Sequence, residues 1–97
     1  TPDIAAGSRA IQANPDSAAA YTEFGWALYQ QGYLTEAIST YNQAIRLDPT
    51  YATAFNRLGL AFYQQGRVDE AIRAYSRAVQ LDPTLTEAST NLRLALY

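Results

Sequence analysis

Residues 24–32 read FGWALYQQG, and 34 positions later residues 58–66 read LGLAFYQQG. The return belongs to a longer one, since aligning residues 18–51 with 52–85 leaves 17 of 34 positions identical. Pro15, Pro49 and Pro83 fall one period apart, as do Asn14, Asp48 and Asp82. The match runs past both ends: SRAIQANP at 8–15 follows NQAIRLDP at 42–49, and TEASTNLRLALY at 86–97 follows ATAFNRLGLAFY at 52–63. A fixed period of this length marks a repeat architecture, in which each unit buries its apolar face only by stacking on its neighbours. The expected division is a half unit at 1–17 (a second helix only), full units at 18–51 and 52–85, and a closing half unit at 86–97.

Each unit reads as two helices. Tyr21, Phe24, Gly25 and Leu28 fall at i, i+3, i+4 and i+7, the spacing of one helical face. Gly32 follows as the left-handed residue that commonly ends a helix. The second helix is expected to open on Thr35-Glu36 or Asp69-Glu70, a polar cap with acid in the first turn, where it favours the helix dipole. Its apolar stripe is Leu34, Ala37, Ile38, Tyr41, Ala44, Ile45 in one unit and Val68, Ala71, Ile72, Tyr75, Ala78, Val79 in the other. Asp-Pro-Thr then stops it, and Thr50 or Thr84 is placed to cap the next helix. No segment alternates with period two. The spacing predicts an all-α chain with six helices near 3–13, 17–31, 34–47, 52–65, 68–81 and 86–96.

The order Gly25, Ala37, Tyr41, Ala44, Pro49, repeated as Gly59, Ala71, Tyr75, Ala78, Pro83, resembles the signature of the tetratricopeptide repeat family. The resemblance covers nearly the whole chain. It implies an α-solenoid of antiparallel helix pairs wound as a right-handed superhelix, the first helix of each pair lining a concave groove. The small residues allow close helix approach, and Tyr41 fills the space between neighbouring helices. The ends depart from the pattern. Asp3 stands where Ala37 and Ala71 stand, Gly7 replaces Tyr41 and Tyr75, and Arg93 replaces Gly25 and Gly59. The first two changes are expected to weaken packing against an absent helix. Residues 86–97 read as a solvated capping helix, against the alternative of a chain cut mid-repeat. The chain starts at Thr1 without Met, as expected of a piece of something longer.

Composition narrows the function. The net charge is −2 and the pI about 4.8, against the clustered positive charge that nucleic acid or an anionic membrane demands. The seven basic residues are all arginine and are scattered. No apolar run approaches a membrane span and no signal-like start precedes the repeats, which makes the cytoplasm the default location. Cys and His are absent, and with them the usual thiolate and imidazole metal ligands, the thiol nucleophile and the commonest general base. Ser8, Ser17, Ser39, Ser76 and Ser89 have neither His nor Lys to activate them. Glu36 and Glu70 sit where a helix dipole accounts for them, and Asp48 and Asp82 read as turn residues before Pro. Neither an enzyme nor a cofactor site is expected.

What remains is a second stripe on the first helices. Thr22, Trp26 and Tyr29 share it, as do Asn56, Leu60, Tyr63 and Thr90, Leu94, Tyr97. An amphipathic helix needs one apolar stripe, so the surplus points to a partner. The expected function is a protein–protein interaction module that accepts a peptide or protein segment in the groove. Trp26 is its anchor, flanked by Tyr29 and Tyr63 with Leu60 and Leu94 along the ladder, and the groove is apolar rather than charged. Thr22, Asn56, Gln30 and Gln64 are expected to bond a ligand backbone, with Arg57 beside them. The plainer reading has Tyr29 and Tyr63 packing between adjacent first helices. The partner expected is a segment with a bulky apolar or aromatic residue. The resemblance also implies a comparison, because some family members clamp acidic chaperone tails with Lys, Asn and Arg on the first helices. Those places here hold Thr22, Trp26, Arg57, Glu87 and Asn91, or one unit later Asn56, Leu60 and Asn91, with no Lys, so no such binding is expected. The alternative function is a scaffold that self-associates weakly by end-to-end stacking of open repeat ends.

Overall fold

The computed structural model describes residues 4–97 and forms six α-helices among them: α1 (Ile4–Ala13), α2 (Ala18–Gln30), α3 (Leu34–Leu47), α4 (Ala52–Gln64), α5 (Val68–Leu81) and α6 (Thr86–Leu96). Asp3, expected to begin the first helix, lies outside the described residues. No strand occurs among the described residues. The chain is an all-α helical repeat.

The repeated QQG ends α2 and α4 in the same way. Gly32 has φ +89° and Gly66 φ +80°. The Tyr33 N–H donates to the Leu28 carbonyl at 2.9 Å and the Gly32 N–H to Tyr29 at 3.0 Å, the paired bonds of a Schellman motif. Arg67 and Gly66 make the same two bonds to Phe62 and Tyr63. The helix caps differ from expectation. α3 and α5 begin at Leu34 and Val68, at the predicted bounds, but with no side-chain cap, although Glu36, Asp69 and Glu70 do occupy the first turns. Thr50 and Thr84 do not cap α4 and α6, because their hydroxyls turn back to Oδ1 of Asp48 and Asp82. Those carboxylates also accept the Thr50 and Thr84 N–H groups at 3.0 Å, as the turn reading of the aspartates requires. The bond to Thr50 holds the Asp48 carboxyl below its ordinary range. A side-chain cap is present at α2, where Ser17 Oγ accepts the Ala20 N–H at 3.1 Å.

Packing is set by two glycine–tyrosine contacts. Tyr41 and Tyr75 are 0% and 2% exposed, among the largest side chains in the core. A Cβ built on Gly25 would stand 2.5–3.0 Å from the Tyr41 ring, and one on Gly59 would stand 2.5–3.1 Å from Tyr75. Each ring lies directly on a bare backbone, so α2 with α3 and α4 with α5 make the most extensive helix contacts. Around the rings the core is mainly alanine, including Ala37, Ala44, Ala54, Ala61, Ala71 and Ala78, all fully buried. Phe24, Ile38, Ile45 and Phe62 are half-buried against it. Val68, expected in the stripe, is 36% exposed.

The first helices of successive units touch, α2 with α4 and α4 with α6, whereas α1 and α3, or α3 and α5, do not among the described residues. Helices that crowd together on one side and spread on the other make a curved layer, with α2, α4 and α6 inside. At the start of the chain, Gly7 of α1 faces Phe24 of α2. A Cβ there would come 2.9 Å from Phe24 Cδ1 and 3.1 Å from Phe24 Cα, so the glycine brings α1 down onto α2.

Gly59→Ala should therefore cost about 1–3 kcal/mol by overpacking against Tyr75. Gly66→Ala, where nothing lies within 4 Å and only the positive φ is strained, should cost about 1 kcal/mol. Urea melts of the two variants check this ordering. A second test uses pH. Burial pushes the Tyr75 phenol from 10.0 up to about 12, with Tyr29, Tyr63 and Glu87 adding to it, and pushes Tyr41 up further. Folded-state values raised above the unfolded one mean that this stability is fully present below pH 10 and is lost as pH rises through the folded values. Melting temperature should fall across that window, with absorbance at the phenolate band rising in step with unfolding.

Candidate functional site

The inner face carries the second stripe, and its centre is Trp26. The indole is half-buried and stacks on Tyr29 one turn along α2, with ring centroids 5.1 Å apart and planes 8° from parallel. From the neighbouring first helix, Arg57 places its Cζ 3.8 Å from the centroid of the Trp26 ring, a cation–π contact. The groove is therefore not purely apolar at this point, which corrects the expectation of an uncharged surface. Arg57 Nη1 and Tyr41 Oη are buried without a hydrogen-bond partner. The Arg57 charge opposes the upward pull of burial on the Tyr41 hydroxyl.

Two residues expected to bond a ligand are spent inside the fold. Thr22 is fully buried and its hydroxyl donates to the Ala18 carbonyl at 2.8 Å. Asn56 is 1% exposed; its Nδ2 donates to Glu87 Oε1 at 3.1 Å, and its Oδ1 accepts from Asn91 Nδ2 at 3.0 Å. A buried amide needs such partners, so this network ties α4 to α6 and leaves nothing of Asn56 for a ligand. Glu87 and Asn91, two of the positions compared with the acidic-tail clamp, are engaged in the same network.

The remaining candidates lie on or near the surface. Tyr29 is half-buried against the core around Tyr41, as the packing reading has it, whereas Tyr63 is exposed and the ring stack of Trp26 is with Tyr29 alone. Leu60 is half-buried against Ala71, Tyr75 and Ala95, and Leu94 is exposed. Gln30 and Gln64 are exposed and, with Tyr29, border one shallow depression of about 290 Å³. Trp26 and Gln30 border another of about 340 Å³ between α1 and α2. Trp26 is thus in contact with Tyr29 and Arg57 and shares a depression with Gln30, and Tyr29 shares another with Gln30 and Gln64.

The Asn56–Glu87–Asn91 network and the Arg57–Trp26 contact were not read from the sequence. The signal was present: both Trp26–Arg57 and Asn56–Glu87 are separated by 31 residues, three short of the period. Among the described residues, no group of three or more His, Cys, Asp or Glu is placed to hold a metal ion, and no helix is long and apolar enough to cross a membrane.

The repeat itself is matched by known proteins. Residues 25–66 match a TPR repeat model, and residues 52–85 match the tetratricopeptide repeat model, the latter spanning the second unit from end to end. The chain belongs to the tetratricopeptide repeat family. Among solved structures, it is similar to the first TPR of Spaghetti (RPAP3) bound to the HSP90 peptide SRMEEVD, with 27% identity and a TM-score of 0.88 over 96% of this chain and 74% of that one. It is similar also to the second TPR domain of human RPAP3 in complex with the HSP70 peptide SGPTIEEVD, with 29% identity and a TM-score of 0.87 over 97% and 78% of the two chains. MamA, at 30% identity and a TM-score of 0.85, is matched over 95% of this chain and 54% of its own. No curated protein matches the chain in sequence.

Removing the guanidinium should uncover the indole. Arg57→Ala should red-shift Trp26 emission and increase its quenching by acrylamide, while a contact of this kind costs about 0.5–2 kcal/mol of stability. Unchanged emission and quenching would mean that Arg57 does not shield the ring in solution.

Proposed function

We propose that this tetratricopeptide repeat chain is a protein-interaction module that holds a peptide or protein segment against the inner face of α2, α4 and α6. The observation that carries this reading is the Trp26 platform: a large half-buried ring, fixed by Tyr29 and Arg57 on the inner face. A ring held by neighbours on both its own and the adjacent helix loses little freedom on binding, which favours it as an anchor. Similar domains that carry peptides support the general role.

The ligand differs from theirs in chemistry. Those peptides end in EEVD. Here the cation available to a carboxylate, Arg57, is committed to Trp26, and Glu87 stands in the network with Asn56 and Asn91. A tail of acidic residues would meet a carboxylate with no lysine to offset it. The partner we favour carries a bulky apolar or aromatic residue against Trp26, with Gln30 and Gln64 bonding its backbone and Tyr63 and Leu60 extending the surface. Binding by such contacts depends weakly on salt.

Selection from a displayed library of random peptides, followed by titration calorimetry, tests this. Selected segments should carry an aromatic or large aliphatic residue, and Trp26→Ala should weaken them tenfold or more, about 1.4 kcal/mol. The same substitution should lower fold stability less than Leu58→Ala, a core truncation worth about 2–5 kcal/mol. The peptide SRMEEVD should show no measurable binding at physiological salt. Selected peptides whose affinity survives Trp26→Ala, or tight binding of SRMEEVD lost in Arg57→Ala, would refute the reading.

A further inference from the structure

The QQG that ends α2 and α4 puts its two glutamines to different uses. In the second unit the later glutamine is held within the fold: Gln65 Nε2 donates to Thr35 Oγ1 at 3.3 Å, and its Oε1 accepts from Arg67 Nη1 at 3.1 Å. The earlier glutamine is open in both units. Gln30 and Gln64 are exposed, and neither amide is hydrogen-bonded among the described residues. Each follows a tyrosine, Tyr29 or Tyr63, so one ring and one open amide recur on each of the two first helices, 34 residues apart.

The surface these residues make carries no charge. Tyr29, Gln30, Gly32, Leu34 and Gln64 border the depression of about 290 Å³, and all are neutral. Tyr63, which precedes Gln64 on α4, is 45% exposed. The depression continues into the Trp26 platform, because Tyr29 stacks on the indole and Gln30 borders both hollows. A charged segment laid here would lose hydration with no opposite charge to meet. A neutral segment with open carbonyls would find amide donors.

We propose that the segment flanking the anchor residue is proline-rich and lies in the polyproline II conformation, crossing from Tyr29 to Tyr63 with its carbonyls bonded by Gln30 and Gln64. The proposal rests on the Trp26 reading and names the kind of segment that the platform holds. Spacing selects this occupant. Polyproline II repeats every three residues at about 3.1 Å each, so one turn advances about 9.3 Å. Packed helices lie about 8–10 Å apart, and α2 touches α4. Successive turns of such a segment therefore present the same edge to successive tyrosines. An α-helix repeats at about 5.4 Å and a strand at about 7 Å, and neither keeps that step. Bonding agrees with spacing, since polyproline II has no internal hydrogen bonds and leaves its carbonyls open. A segment already ordered by its prolines also loses little freedom against aromatic rings.

Titration calorimetry with three capped peptides tests the assignment. Each carries phenylalanine at both ends, around a run of about six residues, two polyproline turns. The run is proline in one, Gly-Ser in the second and helix-forming Ala-Gln in the third. The proline peptide should bind about tenfold or more tighter than the other two. Tyr63→Ala should remove that advantage while changing the other affinities less than about twofold, and Gln64→Ala should weaken the proline peptide about threefold. Both side chains are exposed, and circular dichroism and melting confirm that the variants fold. Equal affinity for the three peptides, no binding of any up to about 1 mM, or a proline preference that survives Tyr63→Ala would overturn the proposal. Trp26→Ala separates the two readings. It should weaken all three peptides, and if they bind alike but still depend on Trp26, the anchor stands without the ladder. A proline preference lost in Tyr63→Ala but untouched by Trp26→Ala would keep the ladder and refute the anchor.

Discussion

A tyrosine ring laid on a glycine backbone is the contact on which the rest of this structure depends. At 0% and 2% exposure, Tyr41 and Tyr75 fill the space between paired helices, and nothing bulkier than hydrogen fits beneath them at Gly25 and Gly59. The interlock sets how near the helices of a pair can lie. With alanine as the main core residue around it, few other side chains are large enough to hold that spacing. Close pairing then leaves the first helices of successive units in touch and the second helices apart, and this asymmetry makes an inner face.

The inner face has two kinds of cross-link between first helices. One is polar, from the buried Asn56 to Glu87 and Asn91. The other is the guanidinium of Arg57 over Trp26, nearer the surface. The network fixes helix register and holds the buried Asn56 amide on partners within the fold. The Trp26 contact instead holds a large ring in place with part of it still open. Rigidity and accessibility coincide at that residue, and this is why the binding role is proposed there rather than at Asn56 or Thr22, which the sequence placed on the same stripe.

The repeat period, the six helices, the glycine stops and the separate roles of the small residues and of Tyr41 were legible in the sequence, because each follows from local spacing or from a residue with one steric role; that the ring lies on the glycine was not. Gly32 and Gly66 could be read as helix ends since the left-handed backbone asks for glycine. The caps were less legible. Thr50 and Thr84 can bond either forward to the next helix or back to the preceding aspartate, and the sequence does not rank the two; the Asp-Pro turn takes the hydroxyl. The candidate site was legible as a stripe but not residue by residue. Helical spacing placed Thr22, Trp26 and Tyr29 on one face, yet which of them a neighbouring helix covers depends on the tilt between units. Arg57 was noted for its charge, and its commitment to Trp26 emerges only when the two helices are set side by side.

The interlock can be measured directly by a double-mutant cycle in urea, using Gly59→Ala, Tyr75→Leu and their combination. Both side chains act through one contact, so their effects must be coupled. The account predicts that adding a methyl at Gly59 is costly beneath Tyr75 and much cheaper beneath leucine, with a coupling energy of about 1 kcal/mol or more. Strict additivity of the two substitutions would show that the tyrosine does not rest on the glycine, and the spacing of the helices would need another cause.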